Sequence, residues 1–222
     1  MAEDTAASSE QTTNQTGQAE QAGQSGQAAE DFEPLTVAYE HLRHCENPDE
    51  LSRFARTPLP DRSDQAAFSR ATALLEAVAG NPHTPVADRI FLGETMPFPN
   101  ILVKLSGDPE PTVRRAVAGN TADKNWLVGN LTKDPDPEVR DAALMNPRTS
   151  WKMRLEGAQN PDVDARTLDF LGKLGVELEP DAPVVLASMV RRAVAVNPNC
   201  SPETKGRLAG DPQSEVARQA GK

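Results

Sequence analysis

Nine of the 19 prolines in this 222-residue chain directly follow Asn or Asp, which constrains the fold more than any other feature. The prolines are Pro48, Pro82, Pro109, Pro135, Pro137, Pro147, Pro161, Pro198 and Pro212. An Asn or Asp oxygen can cap a helix, and proline suits the next position, where its missing N–H costs nothing. Proline also keeps the residue before it out of the helical conformation, as a cap requires. Each Asx-Pro pair therefore predicts a helix start.

The spacing of these pairs is regular. Asp108, Asp134 and Asn160 follow one another at intervals of 26 residues. The same interval separates Asn120 from Asn146. A unit of about 26 residues has room for two short helices, and repeats of this length are typical of α-solenoids. The sequence therefore predicts an α-solenoid of short two-helix repeats.

A helical apolar pattern accompanies the repeat. Apolar or small residues recur at positions i, i+3 and i+4, which form one face of a helix. They are Val113, Ala116 and Val117, then Val139, Ala142 and Ala143, then Val190, Ala193 and Val194. Alanine lets neighbouring helices approach closely, which explains how a core forms when only 4% of the residues are aromatic. No strand pattern of useful length appears, so we expect an all-α body.

The repeated segments resemble the leucine-rich repeat variant family and, more distantly, HEAT-like repeats. They read DPEPTVRRAVAGN from Asp108, DPDPEVRDAALMNPRTS from Asp134 and VRRAVAVNPNCSPETKGRLAGDP from Val190. The resemblance covers residues 74–220 well and residues 35–70 only as a degenerate extension. It implies a right-handed superhelix of alternating α and 3₁₀ helices, and it does not imply a particular function.

Composition divides the chain into three parts. Residues 1–31 are rich in Gln, Ala, Gly and Ser and carry six acidic and no basic residues, so we expect a disordered acidic tail. Residues 32–72 are predicted to form a degenerate N-terminal helical capping region. Residues 73–222 are predicted to form the repeat solenoid. An irregular loop near residues 172–183 interrupts the repeats, and a longer helix is expected to follow it.

Charge and hydropathy limit the classes of partner. The net charge is −10, but the chain beyond the tail has 27 acidic against 23 basic residues and is nearly balanced. Neither value favours non-specific nucleic-acid binding, which Lys and Arg drive. No apolar stretch is long enough to cross a membrane, and the first 30 residues lack the pattern of a signal peptide. With two cysteines, which suit a reducing compartment, we expect a cytoplasmic protein.

Arginine recurs at one position of four consecutive units, as Arg114, Arg140, Arg166 and Arg191, and Arg115 and Arg192 lie beside two of them. Stacking would align the first four in an arginine ladder. The ladder is either a basic strip that binds an acidic partner, or a set of structural pairs with aspartates such as Asp108 and Asp134. The recurrence of Asp and Arg together favours the structural interpretation. Two tryptophans are interface anchors if exposed and fill gaps between units if partly buried. The candidate partner-binding residues are Arg114, Arg115, Arg140, Arg166, Arg191, Arg192, Trp126 and Trp151.

One cluster has metal-ligating chemistry. His41, His44 and Cys45 share a helix face at i, i+3 and i+4, and these residue types bind zinc. A structural zinc site needs four ligands, and only His83 and Cys200 remain, so we interpret the cluster as ordinary polar residues. Some members of the resembled family carry an iron–sulfur cluster, but two cysteines cannot supply its four thiolates. We expect no metal and no cofactor.

No motif for catalysis appears in the sequence. It has no glycine-rich phosphate loop, no Gly-x-Ser-x-Gly, no His-Glu-x-x-His and no Cys-x-x-Cys. We therefore expect a non-enzymatic scaffold that binds another protein. Nucleic-acid binding through the arginine ladder is the alternative. An enzyme related to the HEAT-like bilin lyases is the less favoured third candidate, with Cys200 as its reactive thiol. Partner identity and oligomeric state stay open.

Overall fold

The computed structural model describes residues 33–122 and 126–222 of the chain. The tail predicted for residues 1–31 lies outside these residues. Within the described ranges the chain forms thirteen α-helices and no strand, so the all-α expectation is confirmed. None of these helices is both long and apolar enough to cross a membrane.

The helices are short, and among those described only α3 and α11 exceed ten residues. In chain order they are α1 (Leu35–His44), α2 (Pro48–Arg56), α3 (Gln65–Ala79), α4 (Val86–Thr95), α5 (Pro99–Ser106), α6 (Pro111–Gly119), α7 (Val128–Leu131), α8 (Pro137–Met145), α9 (Trp151–Gln159), α10 (Ala165–Leu171), α11 (Val184–Val196), α12 (Pro202–Ala209) and α13 (Ser214–Ala220). Short helices of this kind derive most of their stability from packing rather than from intrinsic propensity.

The Asx-Pro pairs mostly form turns instead of helix starts. Two pairs begin helices as predicted. Pro48 begins α2, and Asn47 Oδ1 accepts hydrogen bonds from the N–H groups of Asp49 and Glu50. Pro137 begins α8, and Asp136 Oδ1 accepts hydrogen bonds from the two N–H groups that follow the proline. At the other seven pairs the helix begins two to four residues after the proline. There the Asx oxygen accepts a hydrogen bond from the N–H group two residues further on, which closes a turn. The predicted helix starts were therefore wrong at these seven pairs, because a proline φ suits a turn as well as a first helical residue.

The helices pack in two series. In one, α2 packs on α4, α4 on α6, α6 on α8 and α8 on α10. In the other, α1 packs on α3, α3 on α5, α9 on α11 and α11 on α13. From α4 to α13, each helix also contacts the next one along the chain. The apolar positions predicted from the sequence are buried, except for Ala142, which is half-buried. The fully buried ones include Val113, Val117, Val139, Val190 and Val194.

Asparagine side chains join the ends of stacked helices. Asn146 directly follows α8. Its Nδ2 donates to the carbonyl oxygens of Ala118 and Asn120 at the end of α6, at 2.7 and 3.0 Å. Asn120 donates in the same way to the end of α4. Asn81 and Asn197 do so at the ends of α1 and α9. The last carbonyls of a helix have no partner within it, so these buried amides supply their hydrogen bonds.

The irregular segment expected near residues 172–183 connects α10 to α11. Gly175 has a φ of 75°, and an added Cβ there would lie 2.6 Å from Ala187 Cβ, so the turn requires glycine. The longer helix expected after it is α11, which carries the sequence pattern of α6 and α8. Unlike α6 and α8, however, α11 packs mainly on α9 and α13, which belong to the other series, and makes a smaller contact with α10. The segment therefore moves the repeated pattern from one series of helices to the other.

Asp169 connects α10 to α12. Its carboxylate accepts hydrogen bonds from Lys173 Nζ at 2.6 Å, Arg207 Nη1 at 2.6 Å and Thr204 Oγ1 at 3.0 Å. Burial raises the pKa of Asp169, but these hydrogen bonds outweigh it and lower the pKa to about 2. The ionised carboxylate thus stabilises the contact between the two helices.

We expect the Asp169 contact to be lost in acid. The pKa of an unfolded aspartate is about 3.9. Because the folded pKa is lower, the stabilisation is fully present above pH 4 and disappears as the pH falls towards 2. Asp169→Asn should therefore lower the free energy of unfolding by about 1 kcal/mol at pH 7, since the group is one-third exposed. Urea unfolding at pH 7, 4 and 3 measures this. A difference between the two proteins that does not shrink with falling pH would contradict it.

Candidate binding groove

Two of the candidate arginines are held in buried ion pairs. Arg114 donates from Nε and Nη2 to both carboxylate oxygens of Asp134, at 2.8 and 2.9 Å. Arg191 pairs with Asp211 in the same way, at 2.6 and 3.1 Å. Burial raises the pKa of Asp134, but hydrogen bonds from Arg114 and from a backbone N–H outweigh it, so the pKa is lowered. Arg114 and Arg191 therefore form pairs with aspartate, as the structural interpretation of the ladder describes.

Arg140 lacks the carboxylate that the repeat places opposite its neighbours. The paired aspartates lie 20 residues after Arg114 and Arg191, and the residue 20 positions after Arg140 is Asn160. Arg140 Nη1 donates to the carbonyl oxygens of Asp134 and Pro135, both at 2.9 Å. Its Nε is buried and has no hydrogen-bond partner in the described part of the chain. Arg140 is therefore a structural residue with one unsatisfied donor.

The other three candidate arginines are exposed. Arg115 pairs with Glu138 at 2.9 Å and Arg192 with Glu215 at 3.1 Å, both at the surface. Arg166 on α10 is exposed, and no ion pair joins it to another residue within the described ranges. These side chains can contact a partner, whereas Arg114 and Arg191 cannot do so without breaking a buried pair.

The two tryptophans have different environments. Trp126, just before α7, is 63% exposed, as an interface anchor would be. Trp151 begins α9 and is partly buried against the core. The centroid of its ring lies 4.8 Å from the guanidinium carbon of Arg154. Trp151 therefore fills space between helices, and Trp126 stays a candidate anchor.

A groove crosses α4, α6, α8 and α10. It consists of two adjoining depressions of about 480 and 320 Å³ that share Arg115 and Ala142. The first is lined by Ile90, Glu94, Thr112, Arg115, Ala116, Gly119 and Ala142. The second is lined by Arg115, Glu138, Asp141, Ala142, Met145, Asp164, Arg166 and Thr167. We refer to these residues together as the groove.

The groove follows the period of the sequence. Thr112, Glu138 and Asp164 lie 26 residues apart, and Arg115 and Asp141 are also separated by 26 residues. Stacked helices with this period place equivalent side chains side by side. The groove is therefore a regular feature of the packed helices and not an isolated depression.

The residues that line the groove carry a net negative charge. Four carboxylates and two guanidinium groups line it, and its floor consists of small residues. An added methyl group at Gly119 would meet no atom within 4 Å, so the floor is open. Burial raises the pKa of Asp141, and the nearby charge of Asp164 raises it further. The groove thus has room for an extended chain and carries more negative than positive side chains.

Arg115 and Arg166 were candidates from the sequence, but the acidic residues of the groove were missed. Asp164 also caps α10, because its side chain accepts a hydrogen bond from the N–H of Thr167. The 26-residue interval of the acidic residues with Thr112 and Arg115 was the available signal. The interval identifies a site only once the packing of the helices shows which positions of each helix face the groove.

Cys200 does not have the environment of a reactive thiol. Its side chain is buried, and burial raises the pKa of the thiol above its ordinary value. A nucleophilic cysteine needs a lowered pKa and access to solvent. The geometry therefore gives the enzyme alternative no support.

Comparison with known proteins gives no match for this chain, whether with family models, with curated proteins or with solved structures. The resemblance to the leucine-rich repeat variant family stays a prediction that rests on the repeated segments alone. The fold and the groove define the class of protein as all-α, with successive helices presenting equivalent side chains on one face.

Proposed function

We propose that this protein is a non-enzymatic α-solenoid scaffold that binds a protein partner in the groove. The observation that carries the proposal is the continuity of the groove over four stacked helices, with residues repeated at the 26-residue interval. Extended concave surfaces built this way are the usual binding surfaces of helical repeat proteins. A right-handed superhelix, as the family resemblance implies, is part of the same proposal.

The partner segment is extended and carries lysine or arginine. Acidic side chains outnumber basic ones in the groove, and Asp141 lies near Asp164 without an ion-pair partner within the described residues. A cation between these two carboxylates would relieve their repulsion. The small floor residues leave space for the backbone of the bound segment.

Nucleic acid fits this groove less well. Arg114 and Arg191 are engaged by buried aspartates, so the ladder does not supply a continuous basic strip. The exposed Arg115 and Arg166 share the groove with carboxylates that repel phosphate. Nucleic-acid binding therefore stays the second candidate function and becomes an outcome of the test.

A labelled lysine nonapeptide tests the proposal by fluorescence anisotropy at low salt. We expect Asp141→Asn/Asp164→Asn to bind it about fivefold to tenfold more weakly than the unaltered protein, a loss of about 1–1.4 kcal/mol. The control Asp162→Asn/Glu203→Gln makes the same change in net charge at exposed residues outside the groove and should bind normally.

Two outcomes would contradict the proposal. Equal losses in the groove variant and its control would show that net charge alone attracts the peptide. Binding of a labelled single-stranded oligonucleotide at low salt, with loss on Arg115→Gln/Arg166→Gln, would favour the nucleic-acid function instead.

A further inference from the structure

Three metal-ligating side chains meet where α1 turns into α2. His41 Nε2 lies 2.8 Å from Glu50 Oε1, and Cys45 Sγ lies 3.6 Å from Glu50 Oε2. One ligand atom of each residue lies within 4.8 Å of the others. His41 and Cys45 are one helical turn apart, and Asn47 caps α2 so that Glu50 reaches back to them. The fold therefore assembles a Cys-His-Glu cluster from two helices.

We propose that His41, Cys45 and Glu50 bind a zinc ion, with water as the fourth ligand. Thiolate, imidazole and carboxylate are the ligands that zinc takes in proteins, and three protein ligands plus water is an established coordination. Zinc–ligand distances of about 2.0–2.3 Å in a tetrahedron separate neighbouring ligand atoms by about 3.3–3.8 Å. The cluster needs only small side-chain movements to reach this geometry. A sulfur ligand also selects zinc over magnesium or calcium.

The surroundings of the cluster suit a cation. Cys45 directly follows the last residue of α1, and the C-terminal end of a helix favours positive charge. Asn81 Nδ2 donates to the carbonyl oxygens of Leu42 and Cys45, at 2.7 and 2.8 Å, which fixes the backbone of the cysteine. His41 is more than half exposed, so its ring is free to turn towards the metal. On binding, the thiol of Cys45 releases its proton to the solvent.

His44 does not belong to the site. Its spacing places it on the same helix face as His41 and Cys45, but His44 Nε2 lies 3.3 Å from Glu40 Oε2, one turn back on α1. Glu50 takes its place as the third ligand, and no spacing within α1 could have revealed a residue on α2. His44 therefore serves as a control for the experiment.

Titration of the reduced, metal-free protein with Co²⁺ tests the site, because cobalt bound to thiolate gives an intense near-ultraviolet band. We expect one ion per chain, a band that Zn²⁺ abolishes by displacing cobalt, and a higher Tm with zinc. Cys45→Ser should lose the band, whereas Cys200→Ser and His44→Ala should keep it. His41→Ala and Glu50→Gln should bind at least tenfold more weakly.

The proposal fails if the unaltered protein shows no thiolate band, or if the band survives Cys45→Ser. It also fails if His41→Ala binds cobalt as tightly as His44→Ala does. Because His41 is exposed, this last comparison decides the matter even if Cys45→Ser does not fold, which circular dichroism would reveal.

Discussion

Replacing Asp211 with alanine should lower the free energy of unfolding by about 3–5 kcal/mol. Arg191 and Asp211 are almost completely buried, with exposures of 2% and 3%, and two hydrogen bonds join them between α11 and the turn before α13. Removal of the carboxylate leaves a buried guanidinium with an uncompensated charge. The turn also loses the oxygen that accepts the N–H of Gln213.

A surface pair between the same two helices provides the control. Arg192 pairs with Glu215 at 3.1 Å, and both side chains are about half exposed or more. Glu215→Ala should change the free energy of unfolding by no more than about 0.5–1 kcal/mol, because exposed ion pairs contribute little. Urea unfolding of both variants at pH 7 makes the comparison. Equal losses would show that the buried pair does not hold α11 to α13.

The expected loss assigns the two paired arginines of the ladder, Arg114 and Arg191, to stability. Arg114 forms the same two-hydrogen-bond pair with Asp134, and Arg89 pairs with Asp108 through one hydrogen bond, so Arg and Asp recur together where helices pack. A buried pair adds little net stability compared with apolar residues, but loss of one partner is costly. The buried pairs therefore connect neighbouring helices, and the binding function that we propose rests on exposed residues beside them.

Local sequence patterns predicted the helical content and the core. The i, i+3, i+4 pattern identified Val113, Val139 and Val190, all of which are buried, and the breakdown of the repeat identified the segment between α10 and α11. The same patterns failed at helix starts such as Ala165, four residues after Pro161. Asx-Pro suits both a cap and a turn, so the pair alone does not fix where the helix begins.

The candidate sites depended on contacts between distant residues. Arg115 was found because it adjoins the ladder, whereas Asp141 and Asp164 gained significance only when packing placed them together in the groove. Glu50 was missed at the metal cluster for the same reason, since α2 must fold back on α1 before it meets Cys45. A sequence period specifies equivalent positions but not the direction that each side chain faces.

Changing Asn146 to aspartate should lower the free energy of unfolding by about 2–4 kcal/mol, although the substitution preserves shape. Asn146 is 3% exposed, and its Nδ2 donates to the carbonyl oxygens of Ala118 and Asn120. A carboxylate oxygen there would face two acceptors and leave all three groups unsatisfied. The new carboxyl would take up a proton to escape this repulsion, so the loss should be smaller at pH 4 than at pH 7.

The same change at Asn160 should instead raise the free energy of unfolding, by about 1 kcal/mol. Its Oδ1 accepts the N–H of Asp162, which a carboxylate does equally well, and no hydrogen bond from its Nδ2 joins it to the described residues. Position 160 is where the repeat places the aspartate that pairs with the arginine 20 residues earlier, and Arg140 Nε is buried without a partner. The carboxylate supplies that partner.

Urea unfolding of Asn146→Asp and Asn160→Asp together therefore separates two functions of asparagine in one repeat. An asparagine whose amide N–H groups donate hydrogen bonds cannot be replaced by aspartate without loss of stability. An asparagine that only accepts a hydrogen bond through its oxygen can be replaced. If both variants lose stability equally, added negative charge explains the effect and the amide hydrogen bonds do not. The same substitution made together with Arg140→Gln tests whether the new carboxylate acts through Arg140. If Asn160→Asp stabilises the protein only when Arg140 is present, the natural chain lacks one ion pair that the repeat pattern specifies.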